Sequence, residues 1–166
     1  MTLDEAREIL RDYHKRTGAT HYHSSLSVLP VLFAIKDRMK AGDVCLLSKA
    51  HAISAYLLVF DELPEKAPVQ SEFGALGSAL PFALGVAKMK PGSTVFVVCG
   101  DGEMQEGSNL EALAAIPRLG AKNIEVHVDG NGLQGMGIVP KSSLFPTFYH
   151  PTHKGPTFDC HYWSAK

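Results

Sequence analysis

The chain of 166 residues lacks any excess of charge, has little cysteine, and contains no long apolar run. Sixteen basic residues stand against seventeen acidic ones, a net charge of −1, and no cluster of lysine and arginine forms a stripe. A nucleic acid or an anionic membrane therefore finds no electrostatic footing. The three cysteines, Cys45, Cys99 and Cys160, cannot all pair, and the first two lie inside apolar stretches. They are expected as buried thiols in a reducing compartment. No run approaches the roughly 20 residues that cross a bilayer. The N-terminal stretch MTLDEAREILRDYHKR lacks the apolar core of a signal peptide. A cytoplasmic protein with no membrane partner is the expectation. Eight histidines raise the question of zinc. His21-x-His23 and His150-x-x-His153 have no cysteine or acidic partner at a zinc-like spacing. For His14, His23, His127 and His150 a surface or packing role is expected.

What is present is ordinary for a globular chain, with 45% hydrophobic and 20% charged residues. A chain of this length is expected to form one domain over residues 1–166 and to bury roughly 70% of its unfolded surface. Leu3, Ala6, Ile9, Leu10 and Tyr13 recur with helical period, so a helix is predicted over 3–16, ended by Thr17-Gly18. A second helix is predicted from a cap at Ser24 or Ser25 to about Met39, with Pro30 in its early turns. A strand follows at 43–47, then a helix through Phe60, a polar loop at 61–72, and a helix to about Met89. Strands at 95–99 and 124–129 flank an amphipathic helix at about 108–119. This alternation predicts an α/β fold, a parallel sheet with helices on both faces.

The stretch 94–137 organises the rest. Ligands of βαβ units sit at the carboxyl ends of the strands, and Asp101 and Asn131 fall at two such ends. A carboxylate and an amide oxygen are hard ligands that suit Mg²⁺ or Ca²⁺, and Mg²⁺ takes few protein ligands when phosphate completes its shell. Gly100 and Gly102 let backbone N–H groups approach a ligand, and Gly107 opens a helix whose N-terminus carries partial positive charge. Together these features suggest a metal-bridged diphosphate. An EF-hand does not fit, because Glu106 stands where that loop needs glycine and Ala112 where it needs glutamate.

The run GDGEMQEG followed by NGLQ resembles the thiamine diphosphate motif in its transketolase form. The resemblance implies that Asp101, the Asn131 side chain and the Leu133 carbonyl hold the metal. Gly100, Gly102 and Glu103 would belong to the cofactor loop, with the Gly102 N–H on the diphosphate. Glu106 matches the family glutamate that links cofactor sites through a hydrogen-bonded relay. The stretch HYHSSLS is similar to the family's GHPGGSLS-like helix start and places His21 at the substrate end of the cofactor. SKAH resembles S-K-G-H and places His51 on the diphosphate. FGALGSAL resembles G-P/S-L-G-Q-G, with Gly74 close to ligand and Leu76 either on the thiazolium ring or in the core. Residues 154–158 look like a compressed form of a family strand, which puts His161 on the diphosphate; a packed C-terminal tail is the equal alternative.

Departures are visible too. Asp129-Gly130-Asn131 replaces Asp-Asn-Asn or Asp-Asp-Asn, Tyr22-His23-Ser24 replaces Pro-Gly-Gly, and no histidine stands between His51 and His127. The resemblance covers about 20–137 and implies the diphosphate-binding, N-terminal half of a split transketolase. Its activity would be transfer of a two-carbon ketol unit between sugar phosphates. The glutamate that activates the cofactor would come from a partner subunit with a pyrimidine-binding domain, in a homo- or hetero-oligomer. Two alternatives stay open. One is half of another thiamine diphosphate enzyme, 1-deoxyxylulose-5-phosphate synthase-like or 2-oxo acid decarboxylase-like. The other is a shortened, non-catalytic binding module.

Overall fold

A computed structural model describes residues 1–48, 50–66, 75–134, 137–138 and 148–150. Lys49 of the SKAH stretch, Gly74, Cys160, His161 and the 154–158 stretch lie outside these residues. For Leu133 and His150 only the backbone is described.

Helix α1 (Leu3–Thr17) starts on a reciprocal cap, in which the Thr2 hydroxyl accepts from the Glu5 N–H and the Glu5 carboxylate accepts from the Thr2 N–H. Such a cap stabilises by about 1 kcal/mol. The helix ends at Gly18, as expected, with the Gly18 N–H on the His14 carbonyl.

Helix α2 (Tyr22–Lys36) departs from expectation at both ends. It begins ahead of the serines, with His21 as the flanking residue and no side-chain cap, and it stops before Met39. Ser25, one of the two expected caps, is turned into the protein and packs there, as does Ser27 a half-turn on. Pro30 consequently lies in the helix interior. Its missing N–H and ring clash cost about 3 kcal/mol. The neighbouring Val28, Leu29, Val31 and Leu32 are completely buried, and each contributes about 1.5–3 kcal/mol. Burial therefore outweighs the proline.

Strands β1 (Val44–Leu47), β2 (Val95–Gly100), β3 (Ile124–Asp129) and β6 (Phe148–His150) form one sheet in that order, every pair parallel. A short ribbon, β4 (Leu133–Gln134) with β5 (Gly137–Ile138), is antiparallel. All six residues of β2 are buried, which is why its sequence is a continuous apolar run. Alternate residues go to opposite faces. Phe96 and Val98 join Leu10, Leu29, Leu32, Ile35 and Val59 from α1, α2 and α3 (Ile53–Phe60). Val95, Val97 and Cys99 join Leu80, Ala83 and Ala112 from α4 (Ala79–Met89) and α5 (Gly107–Arg118). The predicted α/β architecture, helices on both faces of a parallel sheet, is the one observed.

The amino ends of the strands are stapled by side chains. Asp43 accepts the Thr94 N–H at 2.7 Å and the Lys40 N–H at 2.8 Å. The Asn123 amide nitrogen shares its two protons among the carbonyls of Ala87, Lys90 and Ser93 at 2.8–3.0 Å. Among the described residues no helix is long and apolar enough to cross a membrane.

Candidate functional site

The register pairs Gly100 with Asp129, so β2 and β3 end level and their loops leave from one edge. Asp101 follows β2 and is 1% exposed. Its Oδ2 accepts the Gly132 N–H at 2.6 Å. Gly132 makes that turn at a φ of 75°, a left-handed conformation that costs glycine nothing. This bond ties the loop carrying Asn131 onto Asp101, and the two predicted metal ligands are thereby brought to one place.

A second set of contacts lies beneath. The Ser27 hydroxyl donates to Asp129 Oδ2 at 2.5 Å, and the Asn131 amide nitrogen donates to Ser27 Oγ at 3.2 Å. Asp129 is fully buried. Neither Ser27 nor Asp129 stood out in sequence as a site residue, although an acid closing an apolar strand is a visible signal. Leu133, the third expected ligand, starts β4 two positions beyond Asn131. Among the described residues no group of three histidine, cysteine, aspartate or glutamate side chains gathers around a metal position. Asp101 and Asn131, whose loops are tied together, carry a carboxylate and an amide, and their oxygens are the hard type that fits Mg²⁺ or Ca²⁺.

His21 and His51 also meet. Their ring centroids are 5.4 Å apart, with the planes inclined at 52°. His21 precedes α2, and His51 lies in the 3₁₀ turn Ala50–Ala52 that follows β1. His21 adopts φ 59°, the one positive value at a non-glycine among the described residues. That conformation costs on the order of 1–3 kcal/mol and is held by its surroundings, as happens at functional positions. His14, His23 and His127 pack as expected: His14 Nδ1 sits 2.9 Å from the Ala19 carbonyl, and buried His127 Nε2 sits 3.3 Å from Glu125 Oε2. His23 is half-buried against the Tyr22 ring.

The Gly-Asp-Gly loop is braced from within. Glu103 is 4% exposed. Its Oε1 accepts from the Ser48 hydroxyl, its Oε2 accepts the Gly100 N–H at 3.2 Å, and its carbonyl accepts from the Asn109 amide at 2.9 Å. The carboxylate thus faces inward, tying the end of β1 to the loop after β2. Burial pushes the neighbouring Cys99 thiol well above its ordinary pKa; the Glu103 charge adds to this and the Ser48 hydroxyl opposes it.

The turn at 75–78 is clamped to the start of α5. Ser108 Oγ donates to the Gly77 carbonyl at 3.0 Å, and a Cβ on Gly77 would lie 2.4 Å from Ser108 Oγ and 2.8 Å from Glu106 Cβ. Leu76 on that turn is 51% exposed, which removes it from the core. Glu106 flanks the N-terminus of α5, exposed, with its carbonyl accepting from Asn109 and Leu110.

Comparison with known proteins fits this geometry. The model of a family described as "Thiamine pyrophosphate enzyme, C-terminal TPP binding domain" matches residues 50–159. The chain is 32% identical over 161 residues to a protein named Ferredoxin fas2 from Rhodococcoides fascians, covering 74% of this chain and 53% of that protein. It is 41% identical over 74 residues to an apulose-4-phosphate transketolase subunit of Actinobacillus succinogenes, covering 42% of this chain and 27% of that one. The chain thus spans about half the length of the first relative and about a quarter of the second.

Proposed function

The chain belongs to the family of thiamine pyrophosphate enzyme C-terminal TPP-binding domains, and from that premise we propose that it is the diphosphate- and metal-binding half of a split transketolase-like enzyme. The observation that carries the reading is the bond from the Gly132 N–H to Asp101, which ties the loop after β3, next to Asn131, to the end of β2. Asp101, Asn131 and the Leu133 carbonyl would hold Mg²⁺, or Ca²⁺ in its place. The Gly102 N–H and His51 would hold the diphosphate, in a loop shaped by Gly100 and Glu103. Leu76, already exposed, would meet the thiazolium ring. When bound, thiamine diphosphate supplies the electron sink for a two-carbon ketol unit.

The chain's own residues would bind, orient and move protons. His21, held in a strained conformation beside His51, would place a polar group near the reacting end. Glu106, exposed at a helix start, would reach across an interface to link sites. A partner subunit with a pyrimidine-binding domain would complete the site and bring most of the sugar-phosphate recognition. Support for a partner comes from the relative that is named as one subunit of a transketolase. It comes also from the outer sides of α4 and α5, where Phe82 is 64% exposed, Met89 78% and Leu110 37%. Exposed apolar side chains on these two helices offer surface that association would cover. The near-neutral charge and the buried free thiols of Cys45 and Cys99 fit a cytoplasmic assembly.

Reconstitution tests the proposal. Mixed with a partner chain carrying the pyrimidine-binding domain, thiamine diphosphate and Mg²⁺, the chain is expected to transfer a ketol unit from a ketose phosphate to an aldose phosphate, and to be inactive alone. Turnover of pyruvate in its place would move the assignment to the synthase or decarboxylase branch.

A further inference from the structure

We propose that Ser27 positions the metal-binding amide of Asn131, through a one-way hydrogen-bond chain that runs from Asn131 through Ser27 to Asp129. The inference rests on the functional reading above and adds to it a residue from helix α2, outside the two strand ends.

The argument is one of proton counting. A serine hydroxyl has a single proton and two lone pairs. The Ser27 Oγ reaches the Ser24 carbonyl at 3.2 Å and Asp129 Oδ2 at 2.5 Å. The Asp129 contact is much the shorter of the two, and the structure has the Ser27 hydroxyl donating to it. Ser27 then presents only lone pairs to Asn131, and it accepts from the amide nitrogen at 3.2 Å. A flipped amide would set its carbonyl oxygen against those lone pairs and aim its NH₂ group at the cation. Both consequences are unfavourable, and the chain of bonds therefore fixes the amide oxygen as the outward arm. Asp129 is fully buried and Ser27 is 6% exposed, so water does not compete for the bond between them. In a site with few protein ligands, one misdirected amide removes a large share of the coordination. Because α2 starts at Tyr22, immediately after His21, one rigid element also sets both this orientation and the entry of the histidine pair.

The test is a Mn²⁺ titration followed by electron paramagnetic resonance on the full chain in saturating thiamine diphosphate. Ser27→Ala is expected to raise the Mn²⁺ Kd about 10- to 100-fold, the usual effect of losing a partner that orients a ligand. Ser27→Thr, which keeps the hydroxyl, is expected to restore the wild-type Kd, an outcome that a purely packing role would not give. Should Ser27→Ala fail to fold, Ser27→Cys keeps the volume with a poor hydrogen-bonding group and is expected to show the same loss. Wild-type Kd in a folded Ser27→Ala or Ser27→Cys protein, in a series where Asp101→Ala has lost Mn²⁺, overturns the inference and leaves the functional reading standing. No Mn²⁺ binding by the wild type overturns that reading, and the inference with it.

Discussion

The two ends of the sheet are built from the same residue types and use them differently. At the amino end Asp43 and Asn123 spend their hydrogen bonds on the backbone of neighbouring loops, and Arg38 pairs with Glu125 at 2.8 Å. At the carboxyl end the described contacts of Asp101 and Asn131, from the Gly132 N–H and to Ser27, set the direction of each side chain. An aspartate and an asparagine at the first end lock the fold; at the second they are aimed. Residue type alone therefore says little about role, and the strand end at which the residue stands says much.

Substitutions should separate the two ends. The largest effect is expected from Asp101→Ala, which should abolish metal-dependent binding of thiamine diphosphate by calorimetry while circular dichroism stays that of the wild type. Unchanged affinity would sink the metal site. Gly77→Ala is next, because its Cβ meets Ser108 and Glu106 in a left-handed turn; a loss of about 1–3 kcal/mol by urea unfolding is expected. At the opposite end, Asn123→Ala strips three carbonyls of their donor, and should cost about 1–3 kcal/mol of stability with no change in cofactor affinity. A binding defect in that variant would erase the contrast.

Acid sharpens the comparison further. The Lys40 and Thr94 N–H groups hold the Asp43 carboxyl below its ordinary pKa. A depressed folded-state value means that the contribution is present above the unfolded pKa, near 4, and is lost as pH falls through the folded value. Melting temperatures of the wild type should fall over that window more steeply than those of Asp43→Asn, and equal slopes would remove Asp43 from the account. The smallest effect concerns chemistry alone. Burial raises the Cys45 thiol to about 12 and Cys99 well above its usual value. Neither should be alkylated at pH 8 in the native state, as read by peptide mass mapping, and both should react in denaturant.

Much of this was legible in the residues. The apolar run of β2 announced a buried strand, and β3 begins and ends where expected, between Asn123 and Gly130. The places of Asp101 and Asn131, just beyond the ends of β2 and β3, were legible too, since strand ends fix where loops leave. The start of α2 was not, because inward packing of Ser25 is a tertiary effect that overrode its capping tendency. The Ser27–Asp129 bond joins residues 102 positions apart, beyond any local pattern. Glu103 turned inward for a like reason, its partner Ser48 coming from another strand end.

Calorimetric titration of the wild-type chain with thiamine diphosphate, in Mg²⁺ and again in EDTA, bears most directly on the central claim. Saturable binding that disappears with the metal is the predicted result. Equal heats in both buffers, or none in either, would contradict a metal-bridged diphosphate at the ends of β2 and β3.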